Sequence, residues 1–96
     1  MSDAEGLVRR GPAIRRIVAG TDLSSRADRA LRRAALVAAA AGAELLVLHA
    51  VDDDQPRHVV EAERREASPI LLEQVAALRQ ASAHPILPLI EEGDPF

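Results

Sequence analysis

The apolar positions of this chain fall into blocks of two different periods, and the blocks alternate. Residues 14–19, Ile14-Arg15-Arg16-Ile17-Val18-Ala19, form a β-branched run too short for a helix and stopped by Gly20, which predicts a first strand. From residue 27 the apolar positions recur at three- and four-residue spacing, as Ala27, Ala30, Leu31, Ala34, Val37, Ala38 and Ala41. Arg26, Arg29, Arg32 and Arg33 fall mainly on the other side, so the segment reads as an amphipathic helix whose small apolar face suits close packing on a sheet. Ser24 and Ser25 are N-cap candidates, and Ser25 with Asp28 three residues on makes a capping-box-like start. Gly42 can take the positive φ of a C′ residue, so the helix is expected to end at Ala41.

The run Ala43-Glu44-Leu45-Leu46-Val47-Leu48-His49-Ala50-Val51 is nearly continuous in apolar character, as expected of a strand covered on both faces. Strand, helix and strand at this spacing make a right-handed βαβ unit, with parallel neighbouring strands whose carboxyl ends share one edge. Residues 57–79 read as helical in two pieces, with Ser68 as an N-cap and Pro69 in the first position of the second piece. Ile70, Leu71, Val75 and Leu78 give that piece its apolar side, whereas residues 58–66 are mostly charged and read as an exposed lead-in. Ile86-Leu87-Pro88-Leu89-Ile90 predicts a third strand, confined to a sheet edge because Pro88 cannot donate to a ladder. The whole is an α/β fold, a partial open parallel sheet of three strands and two helices with strand order 3-2-1. Residues 1–13 are polar, contain Gly6, Gly11 and Pro12 and show neither period, so they are read as a flexible tail before a single domain of residues 14–96.

Composition narrows what such a domain can do. Aromatic residues make up 1% of the chain, Phe96 alone, so stacking of bases on aromatic rings is not available. The net charge is −3 and all 12 basic residues are arginine, which argues against a nucleic-acid surface and removes lysine chemistry. Without cysteine there is no disulfide, thiolate nucleophile or zinc–thiolate site. No segment is long and apolar enough to span a bilayer and none reads as a signal peptide, so a soluble cytoplasmic protein without a membrane partner is expected.

Candidate chemistry gathers where the first strand turns into the first helix. In open α/β sheets ligands bind outside the carboxyl ends of the strands, which places Asp22 in a ligand crevice; its alternative role is to orient the turn into the helix. Ser24 and Ser25 read as caps rather than nucleophiles, since no residue offers itself as their base, and His49, on an apolar strand, reads as a hydrogen-bonded core histidine. Asp52, Asp53 and Asp54, with Asp22 and His58, could supply oxygen ligands to a hard cation, but three consecutive carboxylates read better as a solvated acidic loop, and no metal of the protein's own is expected. Neither G-x-G-x-x-G nor G-K-[ST] is present, which disfavours a dinucleotide site or a P-loop.

Four segments resemble the universal stress protein (UspA) family. Ile17-Val18-Ala19-Gly20-Thr21-Asp22-Leu23-Ser24-Ser25 is similar to its first strand and Asp-x-Ser turn. Residues 29–35 with Ala41-Gly42-Ala43-Glu44-Leu45 resemble its first helix and exit, Leu46-Val47-Leu48-His49-Ala50-Val51-Asp52 its second strand, and Glu92-Gly93-Asp94-Pro95 the turn into its third helix. The resemblance implies an adenine-nucleotide crevice for ATP or AMP, in which Thr21 and Asp22 match the first-strand contacts and Val51 the second-strand backbone position that reads adenine. The family's glycine-rich phosphate loop would follow beyond Phe96, so weak or absent nucleotide binding is expected. Two function classes follow: a non-catalytic, nucleotide-responsive stress protein, or a nucleotide-independent interaction module, including a shortened member without independent activity. The first strand, at an edge in the order 3-2-1, is expected to meet a partner, in a homodimer or a heteromer with a related chain.

Overall fold

The computed structural model describes residues 15–93. Three strands, β1 (Arg16–Gly20), β2 (Glu44–Val51) and β3 (Ile86–Glu92), alternate with two helices, α1 (Asp28–Ala41) and α2 (Arg57–Arg79), and a single 3-10 turn (Ser25–Ala27) leads into α1. All strands are parallel and β2 is central, with Ile17 beside Leu45 and Leu45 beside Ile86, so the order is 3-2-1 read from the β3 edge. The reading of residues 1–13 as a tail, the start of the first strand at Ile14, and Asp94 and Pro95 of the last turn lie outside the described residues.

Both helices lie on the same face of the sheet. Leu31 and Ala38 of α1 and Leu71, Val75 and Leu78 of α2 form one buried cluster with Leu45, Val47 and Ile86, and Ile17, Ala19 and Ile90 pack against its margin. A right-handed crossover repeated in the same direction across a sheet requires this, because each return passes over the same side. Each of the large side chains buried here contributes roughly 1.5–3 kcal/mol. The opposite face carries Val18, Leu87 and Leu89, which remain 46%, 40% and 37% exposed. The expectation that β2 is covered on both faces is therefore corrected: among the described residues both helices pack on one face, while Leu48 on the other face is also buried.

The first helix ends as its sequence requires. Gly42 sits at φ 67°, its N–H donates to the Ala39 carbonyl at 3.1 Å, and the Ala43 N–H donates to the Ala38 carbonyl at 2.8 Å. That pair of bonds is the Schellman arrangement, open to glycine because the left-handed conformation costs it nothing. The packed face of α1 is rotated from the expected one: Val37 is 52% exposed, and Ala35 packs on the core instead.

The second helix corrects the expectation of two pieces. It runs unbroken for 23 residues through Pro69, and residues 58–66 belong to it, with Val60 buried. Its buried positions, Val60, Ala67, Leu71, Val75 and Leu78, form one stripe across the proline, while Pro69 and Arg65, whose carbonyl loses its donor, face solvent. Water can satisfy that carbonyl, so continuous burial outweighs the local break. Ile70, expected on the apolar side, is 42% exposed, and the stripe passes through Gln74. Because Pro69 lies on the exposed side, Pro69→Ala should stabilise the protein by roughly 1–3 kcal/mol through the recovered helical hydrogen bond. Urea unfolding checks this, and a loss of stability would show that the ring itself is required.

Candidate functional site

The carboxyl edge of the sheet is built from three strand ends, and its geometry centres on the turn after β1. The Thr21 N–H donates to the Leu48 carbonyl at 2.8 Å, extending the ladder by one residue before the chain leaves the sheet. Thr21 is 8% exposed, the one buried polar residue among those described. Its hydroxyl oxygen accepts the Leu23 N–H at 3.0 Å and lies 2.9 Å from Oε1 of Gln74. The Gln74 Nε2 donates to the Ser24 carbonyl at 3.3 Å. Since a carbonyl only accepts, this bond orients the amide and leaves Oε1 to receive the Thr21 hydroxyl hydrogen. Thr21 also accepts, at its own carbonyl, from His49 Nδ1 at 3.0 Å, which fixes the proton on Nδ1.

Between these anchors Leu23 is the one non-glycine residue at positive φ, 70°, among those described. The conformation is unfavourable for a leucine by on the order of 1 kcal/mol or more, and it persists because its neighbours hold the turn. Leu23 packs against the core margin while the preceding residue, Asp22, projects into solvent. Asp22 Oδ1 accepts the Ser24 N–H at 2.9 Å and the Ser24 hydroxyl at 2.6 Å, and Oδ2 lies 3.9 Å from the Arg26 guanidinium. The Ser24 hydroxyl, then the Ser24 amide, hold the Asp22 carboxyl below the usual carboxylate range, Arg26 adding to the effect.

This geometry corrects the expected helix start. Neither Ser24 nor Ser25 caps through its side chain, and Ser25 lies within the 3-10 turn rather than ahead of the helix. The Ser24 hydroxyl is instead turned back onto Asp22, so the aspartate supplies the oxygen that organises the entry to α1. An Asp two residues before a Ser was legible as a turn signal; Gln74 was not, because it is separated from Thr21 by 53 residues and sits as a lone polar position in an apolar stripe.

The other expected residues occupy the same edge in different roles. The Val51 side chain is 2% exposed, and its carbonyl accepts the Gly93 N–H at 2.8 Å, so its backbone marks the rim beside the end of β3. Asp52 Oδ1 accepts the Asp54 N–H at 2.9 Å, and Asp53 abuts Gly93, whose φ of 87° suits glycine. The three carboxylates are thus dispersed, and among the described residues no group of three His, Cys, Asp or Glu side chains is placed to hold a metal ion. Glu92 is held by a two-pronged bond from Arg57 at 2.9 and 2.7 Å, which joins the end of β3 to the start of α2 and lowers its carboxyl pKa. His49 lies in a groove of about 230 Å³ with Leu23, Glu63 and Glu66. A cleft of about 260 Å³ between α1 and α2, lined by Leu36, Ala39, Ala77 and Leu78, is more apolar but lies away from this edge and carries none of these groups.

The universal stress protein family model matches residues 13–94. A crystal structure of a universal stress protein in complex with cAMP is 28% identical, with a TM-score of 0.68 over 88% of this chain and 64% of its own. A universal stress protein family member from Burkholderia pseudomallei is 26% identical, with a TM-score of 0.70 over 91% of this chain and 69% of its own. The universal stress protein UspA from Lactobacillus plantarum, 22% identical with a TM-score of 0.71 over 88% of this chain and 65% of its own, shares the fold. The chain thus spans about two thirds of the length of these structures. No curated protein matches it.

The lowered Asp22 pKa has a sign that can be tested. A carboxyl whose folded pKa lies below its unfolded value contributes stability that is present above the unfolded pKa and lost as pH falls through the folded one. Urea unfolding of the wild type and Asp22→Asn between about pH 6 and pH 2 should show their stability gap narrowing in acid, and a gap independent of pH would contradict the assignment.

Proposed function

The chain belongs to the universal stress protein family, and we propose that it is a non-catalytic, cytoplasmic member that binds an adenine nucleotide, ATP or AMP, at the carboxyl ends of β1 and β2 in a stress response. One observation carries this reading: an exposed carboxylate, Asp22, oriented by two hydrogen bonds from Ser24 on a turn that keeps a leucine at positive φ. Strain retained at the crevice of a parallel sheet is the expected mark of a preorganised ligand turn. In this reading Asp22 Oδ2, exposed to solvent beside Arg26, accepts hydroxyl groups of the nucleoside, the Thr21 backbone lines the crevice and the Val51 backbone presents the rim to the base. The cAMP held by one universal stress protein of the same fold supports an adenine nucleotide as the class of ligand.

Binding without turnover is supported by the chemistry of the turn. The chain has neither lysine nor cysteine. The Ser24 hydroxyl donates to a carboxylate of lowered pKa, which is a poor base for activating it. A second reading, pairing of the chain with itself or with a related chain independently of nucleotide, is favoured by a different observation. Among the described residues β1 pairs with β2 alone, and the sheet face opposite the helices exposes Val18, Leu87 and Leu89.

Titration calorimetry of the purified chain with ATP and with AMP tests the first reading. Saturable binding is expected, weakened about tenfold or more in Asp22→Ala by loss of a charge-assisted hydrogen bond. Wild-type protein that takes up neither nucleotide would refute it. Sedimentation at micromolar concentration tests the second: a dimer is expected with or without ATP, and a monomer under both conditions would refute pairing.

A further inference from the structure

We infer that Gln74, in the middle of α2, is a positioning residue for the ligand turn, setting the orientation of Asp22 through a bridge across residues 21–24. The inference rests on the nucleotide reading only for what the turn binds; the bridge itself stands on geometry. A single amide reaches both ends of the turn. Its Oε1 receives the Thr21 hydroxyl at 2.9 Å and its Nε2 donates to the Ser24 carbonyl at 3.3 Å. Within that span lie Asp22 and Leu23, the residue at positive φ.

The hydrogen bonds run as a chain with one direction. The Leu23 N–H donates to the Thr21 hydroxyl oxygen, the hydroxyl donates to Gln74, and Gln74 donates back to Ser24. Losing Gln74 leaves the Thr21 hydroxyl hydrogen without its partner in a half-buried place and the Ser24 carbonyl with the Ala27 N–H alone. The turn has a conformation to relax into, because Leu23 would escape the left-handed region. Asp22 and the backbone of Ser24 would move with it, separating the carboxylate from the hydroxyl that orients it.

Gln74 is otherwise an unexplained residue. The positions beside it on the same stripe, Leu71, Val75 and Leu78, are buried and apolar, and an amide at this register costs burial unless its bonds are used. Here every bond it makes among the described residues goes to the turn. The bridge also passes from the helix layer to the carboxyl edge of the sheet, so the site turn is held from α2 as well as from β1.

Amide hydrogen exchange and ATP titration of Gln74→Ala, Thr21→Val and the double variant test the inference. Gln74→Ala should speed exchange of the Leu23 and Ser24 amides at least tenfold while Leu45 and Val47 keep their protection, and should raise the ATP Kd about tenfold. Thr21→Val should have the same local effect, and the double variant should be no worse than either single one, because both break one chain of bonds. Gln74→Glu, which keeps an acceptor for Thr21 but puts a carboxylate oxygen against the Ser24 carbonyl, should not rescue the turn. Strictly additive effects, wild-type exchange at Leu23 and Ser24 in Gln74→Ala, or equal loss of protection in turn and core would each overturn the bridge. If the wild type binds no ATP, the nucleotide reading fails and the exchange cycle alone decides the role of Gln74.

Discussion

The structure depends on β2 being paired on both sides by parallel strands whose crossovers run in one direction. Parallel pairing forces each connection to return over the sheet, and the right-handed preference puts both returns on one side. From this follow the single core of Leu31, Leu45, Val47, Leu71, Val75 and Ile86, the exposed opposite face, and the gathering of three carboxyl ends on one edge. The helices could not have been divided between the faces without a strand on the other side of β1.

That edge is locked by polar contacts between elements, whereas the middle of the sheet is held by apolar burial. Arg57 fastens the end of β3 to the start of α2 through Glu92, and Gln74 and His49 fasten the turn after β1 to α2 and β2. The two devices differ in kind. The ion pair is largely exposed and screened by solvent, so it contributes little to stability. The amide and imidazole bonds are half-buried and directional, which suits them to fixing a turn that would otherwise relax.

Much of the fold was legible because its signals are local. The β-branched run ending in Gly20, the alanine-rich helix ended by Gly42 and the apolar β2 each announce themselves within about ten residues, the range over which backbone period and capping act. Asp22 with Ser24 was legible for the same reason. The reading failed where a local signal was outweighed from outside: Ser68-Pro69 has the form of a helix start, but burial of Val60 and Ala67 on one side and Leu71 on the other keeps α2 continuous. It failed again at Ser25, where a capping box was available and the chain used the Asp22–Ser24 bonds instead.

By itself the sequence determined the alternation of strand and helix, the strand order, the family and the place on the sheet where a ligand turn would lie. Only the tertiary structure decided that both described helices pack on one face of the sheet, that α2 passes through its proline, and that Gln74 reaches a turn 53 residues away. The division has a physical origin. Periodicity and capping are set by neighbours along the chain, whereas burial of a sheet face and a side-chain hydrogen bond between a helix and a loop depend on which distant residues the topology brings together.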